Sequence, residues 1–319
     1  MTETCLLCNS NAVFLFSKID WQQIFNFYKC CNCTHVFISP TPSEATLNSF
    51  YNVEYYVPDF QKDKVRKKAS FVFNYISEIN KPMLEIGCSY GFFLEYMREK
   101  GVVVDGLELS QKASQCAKEK GFHVLCGSVE SVSISKKYQC IFLFDVLEHI
   151  PNPKSFLFHL IKILDNNGEI YLTVPNQNSL EYKIFKKYWE WSSPPAHLHF
   201  FNNKSIGGLL QQFNLTIEIS NSFKGDSAGN IFFHFYDATK RMFLFNLGCL
   251  IYGKDKFLDK KAKYNLKQKE SRQYSKTEFS GLTYWIFKIS NSLNFLDRLL
   301  RNETNEPTLF LKVRKSESR

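Results

Sequence analysis

The sequence predicts a doubly wound α/β fold, a largely parallel sheet covered by helices on both faces, with a small cysteine ribbon in front and a helical insertion near the end. Three observations carry this. Short apolar runs alternate with helical patterns from residue 82 to residue 219, which is how strands joined by crossover helices read. Two Cys-x-x-Cys pairs sit within the first 33 residues. The charge is uneven: residues 1–223 hold 21 basic and 21 acidic residues, whereas residues 224–319 hold 19 and 10. The whole net charge of +9 over 319 residues therefore belongs to the C-terminal third.

The ribbon comes first. Cys5 and Cys8 form one pair, and Cys30 and Cys33 the other, with 21 residues between the pairs. Each pair offers two thiolates on one tight turn, and two such turns close a tetrahedral site, so a structural zinc in a domain spanning residues 1–40 is expected. Cys31 is a substitute ligand and His35 a weaker one. Four thiols packed without metal is the alternative. Ten cysteines with no secretory leader and no long apolar run point to a reducing, cytoplasmic setting. The longest apolar candidate, residues 242–252, is broken by Asn246 and Gly248.

The α/β pattern follows. Residues 62–78 show helical spacing through Val65, Ala69, Val72, Phe73 and Ile76. Strands are then expected over 82–86, 102–107, 122–125, 140–144, 169–174 and 215–219. Helices are expected over 92–100, 111–120, 153–164 and 204–213. The first strand runs into Glu85-Ile86-Gly87-Cys88-Ser89-Tyr90-Gly91, a turn that lets a ligand approach the backbone. The second ends at Glu108, 21 residues after Gly87, where an acid accepts hydrogen bonds from ribose hydroxyls. Acidic Glu85 before the turn disfavours a pyrophosphate and suits a cationic sulfonium with an amino-acid tail.

These motifs resemble a class I S-adenosylmethionine-dependent methyltransferase over residues 81–223. The likeness extends through Gly127-Ser128-Val129-Glu130, Asp145-Val146-Leu147-Glu148-His149 and His197-Leu198-His199. Ser89 stands where the family usually has its middle glycine, and Tyr138-Gln139 where it often has an aromatic-Asp pair. The resemblance implies a seven-stranded sheet, with residues 41–223 as the core and a last strand over 307–315. It implies that Glu85, Gly87, Cys88 and Gly91 hold the methionine end, Glu108 the ribose, Ser128 and Val129 the adenine edge, and Asp145 the sulfonium side. The ribbon and the Tyr55-Tyr56 run are similar to a subgroup acting on sugars, polysaccharides and secondary metabolites, so a small-molecule acceptor such as a sugar, sugar nucleotide or lipid-linked glycan is expected.

Methyl transfer to an alcohol or acidic carbon needs a base, and His149 and His197 are the candidates, with His199 weaker. The alternative is that His149 packs its loop and His197 orders a lid. Trp189 and Trp191 divide between acceptor wall and core packing, and Glu148 between orienting a partner and capping. Residues 224–306 read as an insertion with aromatic stretches over 231–252 and 282–300. Between them, residues 254–276 hold nine basic and three acidic residues. This is a solvated linker or, through 231–300, a peripheral contact with an anionic inner-membrane surface. RNA methylation and a non-catalytic scaffold are the competing functions. The ribbon, with only Lys18 and Lys29 before Pro40, argues against nucleic acid.

Overall fold

The computed structural model describes residues 2–20, 23–43, 45–47, 58–223 and 306–315, together with Thr239. Tyr55, Tyr56 and the 224–305 insertion with its membrane-contact reading lie outside the described residues.

The ribbon consists of β1 (Thr2–Thr4), β2 (Asn11–Asp20), β3 (Gln23–Cys30) and β4 (Val36–Ser39), all antiparallel. The two cysteine turns lie between β1 and β2 and between β3 and β4. Helix α1 (Pro58–Phe73) then leads to the core. It stops five residues short of the sequence pattern, and Asn74 to Ile76 close into a turn instead.

In the core β5 (Met83–Ile86) precedes α2 (Phe92–Glu99), and β6 (Asp105–Glu108) precedes α3 (Gln111–Glu119). Then come β7 (Val124–Cys126), β8 (Tyr138–Phe144), α4 (Pro153–Ile163) and β9 (Leu164–Pro175). Helix starts follow local chemistry. Ser110 caps α3 by accepting from Ala113 N at 3.3 Å, and Asn152 caps α4 by accepting from Ser155 N at 3.1 Å, with Pro153 in the first turn. Strands β5 and β8 are almost wholly buried, as strands covered on both faces must be.

Helix α5 (Leu180–Phe185), β10 (His199–Phe200), α6 (Asn203–Gln211), β11 (Leu215–Phe223) and β12 (Thr308–Lys315) complete the described chain. The main sheet has seven strands in the order β11-β12-β9-β8-β5-β6-β7. Strands β5 to β9 run parallel, and β12 is inserted antiparallel between β9 and β11. This is the arrangement that the resemblance implies. A charged knot fixes β12 in place: Glu169, 2% exposed, meets Lys81 at 3.4 Å, Lys312 at 3.0 Å, Arg314 and the Tyr171 hydroxyl at 2.7 Å.

The 1–40 segment is not structurally separate from the core. Strand β10, from the core, pairs with β4 and completes a five-stranded ribbon sheet. The strand is two residues long, too short for any alternation to announce it. Trp189, Tyr182, Phe185 and Phe200 pack with the ribbon's Phe25, Phe27, Val36 and Ile38 into one cluster.

Candidate functional site

The turn after β5 carries three left-handed residues: Gly87 (φ +75°), Ser89 (φ +48°) and Gly91 (φ +77°). A Cβ on Gly87 would lie 2.8 Å from Val146 Cγ2, so glycine is required there by both backbone and space. Ser89 adopts the left-handed conformation despite its side chain, and its hydroxyl oxygen is buried without a hydrogen-bond partner. Gly87 N donates to Leu107 O at 2.7 Å, which ties the turn to β6.

Two carboxylates flank the turn. Glu85 is 4% exposed, and its Oε2 finds no hydrogen-bond partner. Burial pushes its carboxyl well above the ordinary range, Glu108 adds to this, and Lys68 opposes it. Glu108 accepts from Ser89 N at 2.8 Å on one oxygen and from Ser110 N at 2.7 Å on the other. Burial raises its pKa and these amides pull it back. These amides and that of Leu109 take three of a carboxylate's about four acceptor positions, which leaves one for a ligand hydroxyl. An orphaned buried acid, an acid with spare acceptor capacity and a backbone cradle fit the cationic, ribose-bearing cofactor that the resemblance implies.

The other expected contacts divide. Gly127 N donates to Glu108 O at 2.9 Å, which brings the turn holding Ser128 beside Glu108. Ser128 N donates to Ser131 Oγ at 3.0 Å. Val129, 5% exposed, packs into the main core, and Cys88, 3% exposed, turns its thiol toward Gly106. Both side chains are structural in placement, and the Cys88 amide donates to Leu107 O at 3.3 Å.

Asp145 follows β8 at φ +55°. Lys68 donates to its Oδ2 at 2.5 Å and Thr173 to its Oδ1 at 2.9 Å. Burial alone would raise its pKa, but Lys68 and Lys64 outweigh it and hold the carboxyl at about 2. Sequence reasoning missed Lys68. It lies 3% exposed on α1, within a helical pattern that carries no motif, and only the packing of α1 on the core brings it to Asp145.

Beyond Asp145 a short 3-10 turn, Leu147–His149, presents Glu148 and His149, and the 191–198 segment returns against it. Leu198 N donates to Glu148 O at 2.8 Å. His149 Nδ1 lies 2.9 Å from Ala196 O, and His197 Nδ1 lies 2.8 Å from Trp191 O. The carbonyl of Asp145 also faces the His149 ring. The two imidazoles meet edge to face at 4.7 Å. Trp191 stacks on His197 at 5.5 Å and carries the Lys64 ammonium 4.4 Å from its ring centre. Both tryptophans pack with the ribbon cluster, Trp189 within it and Trp191 at its margin, where Trp191 also stacks on His197. Burial lowers the pKa of both histidines. Neighbouring His149 presses His197 further, to about 3, whereas Ala196 and Asp145 support His149. His199 lies elsewhere, its Nδ1 3.0 Å from His35 Nε2 inside the ribbon contact.

The four ribbon cysteines converge. Cys5 and Cys33 sulfurs lie 3.6 Å apart, Cys8 and Cys30 sulfurs 3.4 Å apart, and all four fall within 4.8 Å of one another. A tetrahedral ion with sulfurs at about 2.3 Å sets them about 3.8 Å apart. Amides of Asn32 and Cys33 donate to Cys30 Sγ at 3.3 and 3.4 Å, as a thiolate requires. Cys31 is exposed, and His35 is buried against His199, so neither joins the cluster.

Residues 59–219, half of the chain, match the methyltransferase domain family. Among curated proteins, the ubiquinone biosynthesis O-methyltransferase of Nitrosomonas europaea is 30% identical over 122 residues, covering 34% of this chain and 52% of that protein. The mitochondrial ubiquinone biosynthesis O-methyltransferase of Schizosaccharomyces pombe is 27% identical over 131 residues, covering 38% and 45%. The chain thus spans about half the length of the curated relatives it matches. Among solved structures, a chain from the complex of the Haloferax volcanii Trm112 methyltransferase activator with a putative methyltransferase is 12% identical, covers 86% of this chain and 96% of its own, and superposes with a TM-score of 0.51. That likeness is one of fold, and it agrees with the strand order above. With the family match over the segment that holds the glycine turn and Glu108, it places the chain in the methyltransferase domain family, with the class I S-adenosylmethionine-dependent fold.

Proposed function

We propose that the protein transfers a methyl group from S-adenosylmethionine to an oxygen of a small-molecule acceptor. The observation that carries this is the pairing of an orphaned, buried Glu85 with Glu108 across a left-handed glycine turn, next to a pocket built from Asp145, His149, His197 and Trp191. When bound, the cofactor supplies a methyl on a positively charged sulfur, and the chain's work is to align it with the acceptor. Glu85 and the Gly87–Gly91 turn receive the amino-acid end, and Glu108 the ribose. His149 takes the acceptor's proton, because His197 is too weak a base at a pKa of about 3. The oxygen acceptor is suggested by the names of the curated relatives. A sugar, sugar nucleotide or lipid-linked glycan is suggested by the ribbon-bearing subgroup that the sequence resembles.

Calorimetry with S-adenosylhomocysteine tests the donor site: Glu108→Ala should abolish measurable binding, and unchanged affinity would sink the assignment. Radiolabelled S-adenosylmethionine with fractionated extract tests the acceptor, by whether label enters nucleotide-sugar, lipid or RNA fractions. Label in RNA with steeply salt-dependent binding would favour the nucleic-acid reading.

Zinc in the cysteine cluster is part of the same proposal, with a structural role because all four positions are filled by thiolates. Among the described residues no helix is long and apolar enough to cross a membrane. Peripheral contact through residues 231–300 is tested by neutralising Lys260, Lys261 and Lys263, which should release the protein from anionic vesicles.

A further inference from the structure

We propose that the ribbon positions one wall of the reaction centre. Metal on the four cysteines fixes His35 and β4, and these hold the 147–149 turn through Leu198 and His199. His35, Leu198 and His199 are thereby positioning residues. That role rests on the methyl-transfer reading, since it states what the ribbon contributes to the reaction.

Two connections run side by side. The first is main chain. Leu198 O accepts from Ile38 N of β4 at 3.0 Å, and Leu198 N donates to Glu148 O at 2.8 Å. One residue therefore bridges the ribbon and the turn, with no flexible side chain between them. The second is a ring. His199 Nδ1 lies 3.0 Å from His35 Nε2. The carbonyls of Ile150 and Pro151, the next residues after His149, face the same His199 imidazole. The two rings stack at 5.2 Å and both are buried, so neither yields without repacking its neighbours.

The other end of both connections is the second cysteine turn. His35 O accepts from Cys30 N at 2.9 Å, so the turn that carries Cys30 and Cys33 closes on His35 itself. The Thr34 hydroxyl accepts from Asn202 Nδ2 at 3.0 Å, and Asn202 caps α6. Lys204 of α6 donates to Asn32 O at 2.6 Å. The free energy of metal binding in such a cluster goes into ordering the turns that supply its ligands. Here the ordered turn ends on the residues that hold the 147–149 turn.

The cofactor side is built separately. Gly87 N is tied to Leu107 O, and Glu108 to the Ser89 and Ser110 amides. No ribbon residue takes part in these bonds. The ribbon should thus act on turnover and leave the affinity for the donor alone. A displacement of about 1 Å in a reacting group costs on the order of 10²-fold in rate.

The test uses the full chain in three forms: zinc-loaded, stripped by chelation, and zinc-loaded with His35→Phe. Phenylalanine keeps the ring stack and removes the bond to His199. Hydrogen exchange across residues 147–150 and 196–200 should accelerate at least ~10-fold in the stripped chain and in His35→Phe. Label transfer from radiolabelled S-adenosylmethionine to cell extract should fall ~100-fold. S-adenosylhomocysteine affinity by calorimetry should stay within about twofold. His35→Gln, which keeps a donor in the side chain, should return exchange and rate towards the wild type. His35→Phe retains all four cysteines, so it carries the test where stripping unfolds the chain. Unchanged exchange in His35→Phe, or a loss of cofactor affinity as large as the loss of rate, overturns the positioning role. Zinc-dependent exchange in a wild-type chain that binds no S-adenosylhomocysteine overturns the methyl-transfer reading and leaves the mechanical link standing.

Discussion

Gly87 shows how one residue can be decided twice. Its φ of +75° excludes most side chains, and the Val146 methyl at 2.8 Å excludes a Cβ on space alone. Gly87→Ala should cost about 2 kcal/mol or more and weaken cofactor binding, read by thermal melting and calorimetry. Adding Val146→Ala should restore only the steric part, because the backbone strain stays. Lys68 and Asp145 form a comparable unit. Lys68→Met leaves the partly buried Asp145 carboxylate without its main counter-charge and should destabilise the protein by about 1–3 kcal/mol in denaturant melts. The double variant with Asp145→Asn should recover much of that loss, since the cost lies in the orphaned charge. At this scale the sequence was informative where a motif fixed backbone geometry, as at Gly87, Gly91 and Glu108. It was silent where the partner comes from a distant helix, as with Lys68. At Cys88 and Val129 the motif was recognisable, but the direction of the side chain was set by packing that no motif encodes.

At the scale of elements, most of the fold was legible. Strands β5 to β9 and helices α2 to α4 follow apolar patterns and caps that one can read directly. The exceptions share a cause. Strand β9 begins at Leu164, earlier than its apolar run, because Leu164 pairs with Tyr138 on β8. Strand β6 begins only at Asp105, because its partners start there, so the apolar Val102 and Val104 serve packing instead. Strand β10 exists only because β4 lies alongside. The histidines divide by the same rule. His197 lines the pocket and His199, two residues on, joins the ribbon. His149→Ala should lower turnover about 10²–10⁴-fold if it acts as the base. His199→Ala should instead lower the melting temperature with cofactor affinity preserved.

At the scale of the whole molecule, the two ends of the main sheet have different tasks. The ends of β5, β6 and β8 carry the turns proposed to receive the cofactor, and the Glu169 knot fastens β12 to the middle of β9. Burial alone would raise the Glu169 pKa, but Tyr171, Arg314, Lys312 and Lys81 outweigh it and hold the carboxyl at about 2. A carboxyl depressed in the folded state stabilises the protein above its unfolded pKa near 4.5 and loses that contribution as pH falls towards 2. Glu169 should therefore add about 2 kcal/mol at neutral pH that is gone near pH 2. Glu169→Gln should lower stability at pH 7 and flatten the acid limb of a stability profile between about pH 4.5 and 2.

The two-residue strand that the core lends to the ribbon has a topological consequence. A polypeptide cut between residues 43 and 58 would leave both fragments incomplete: the first would lack the fifth strand of its sheet, and the second, with its seven-stranded sheet whole, would expose Trp189 and Phe200. Two such fragments, made in the same cell, should therefore copurify as one particle.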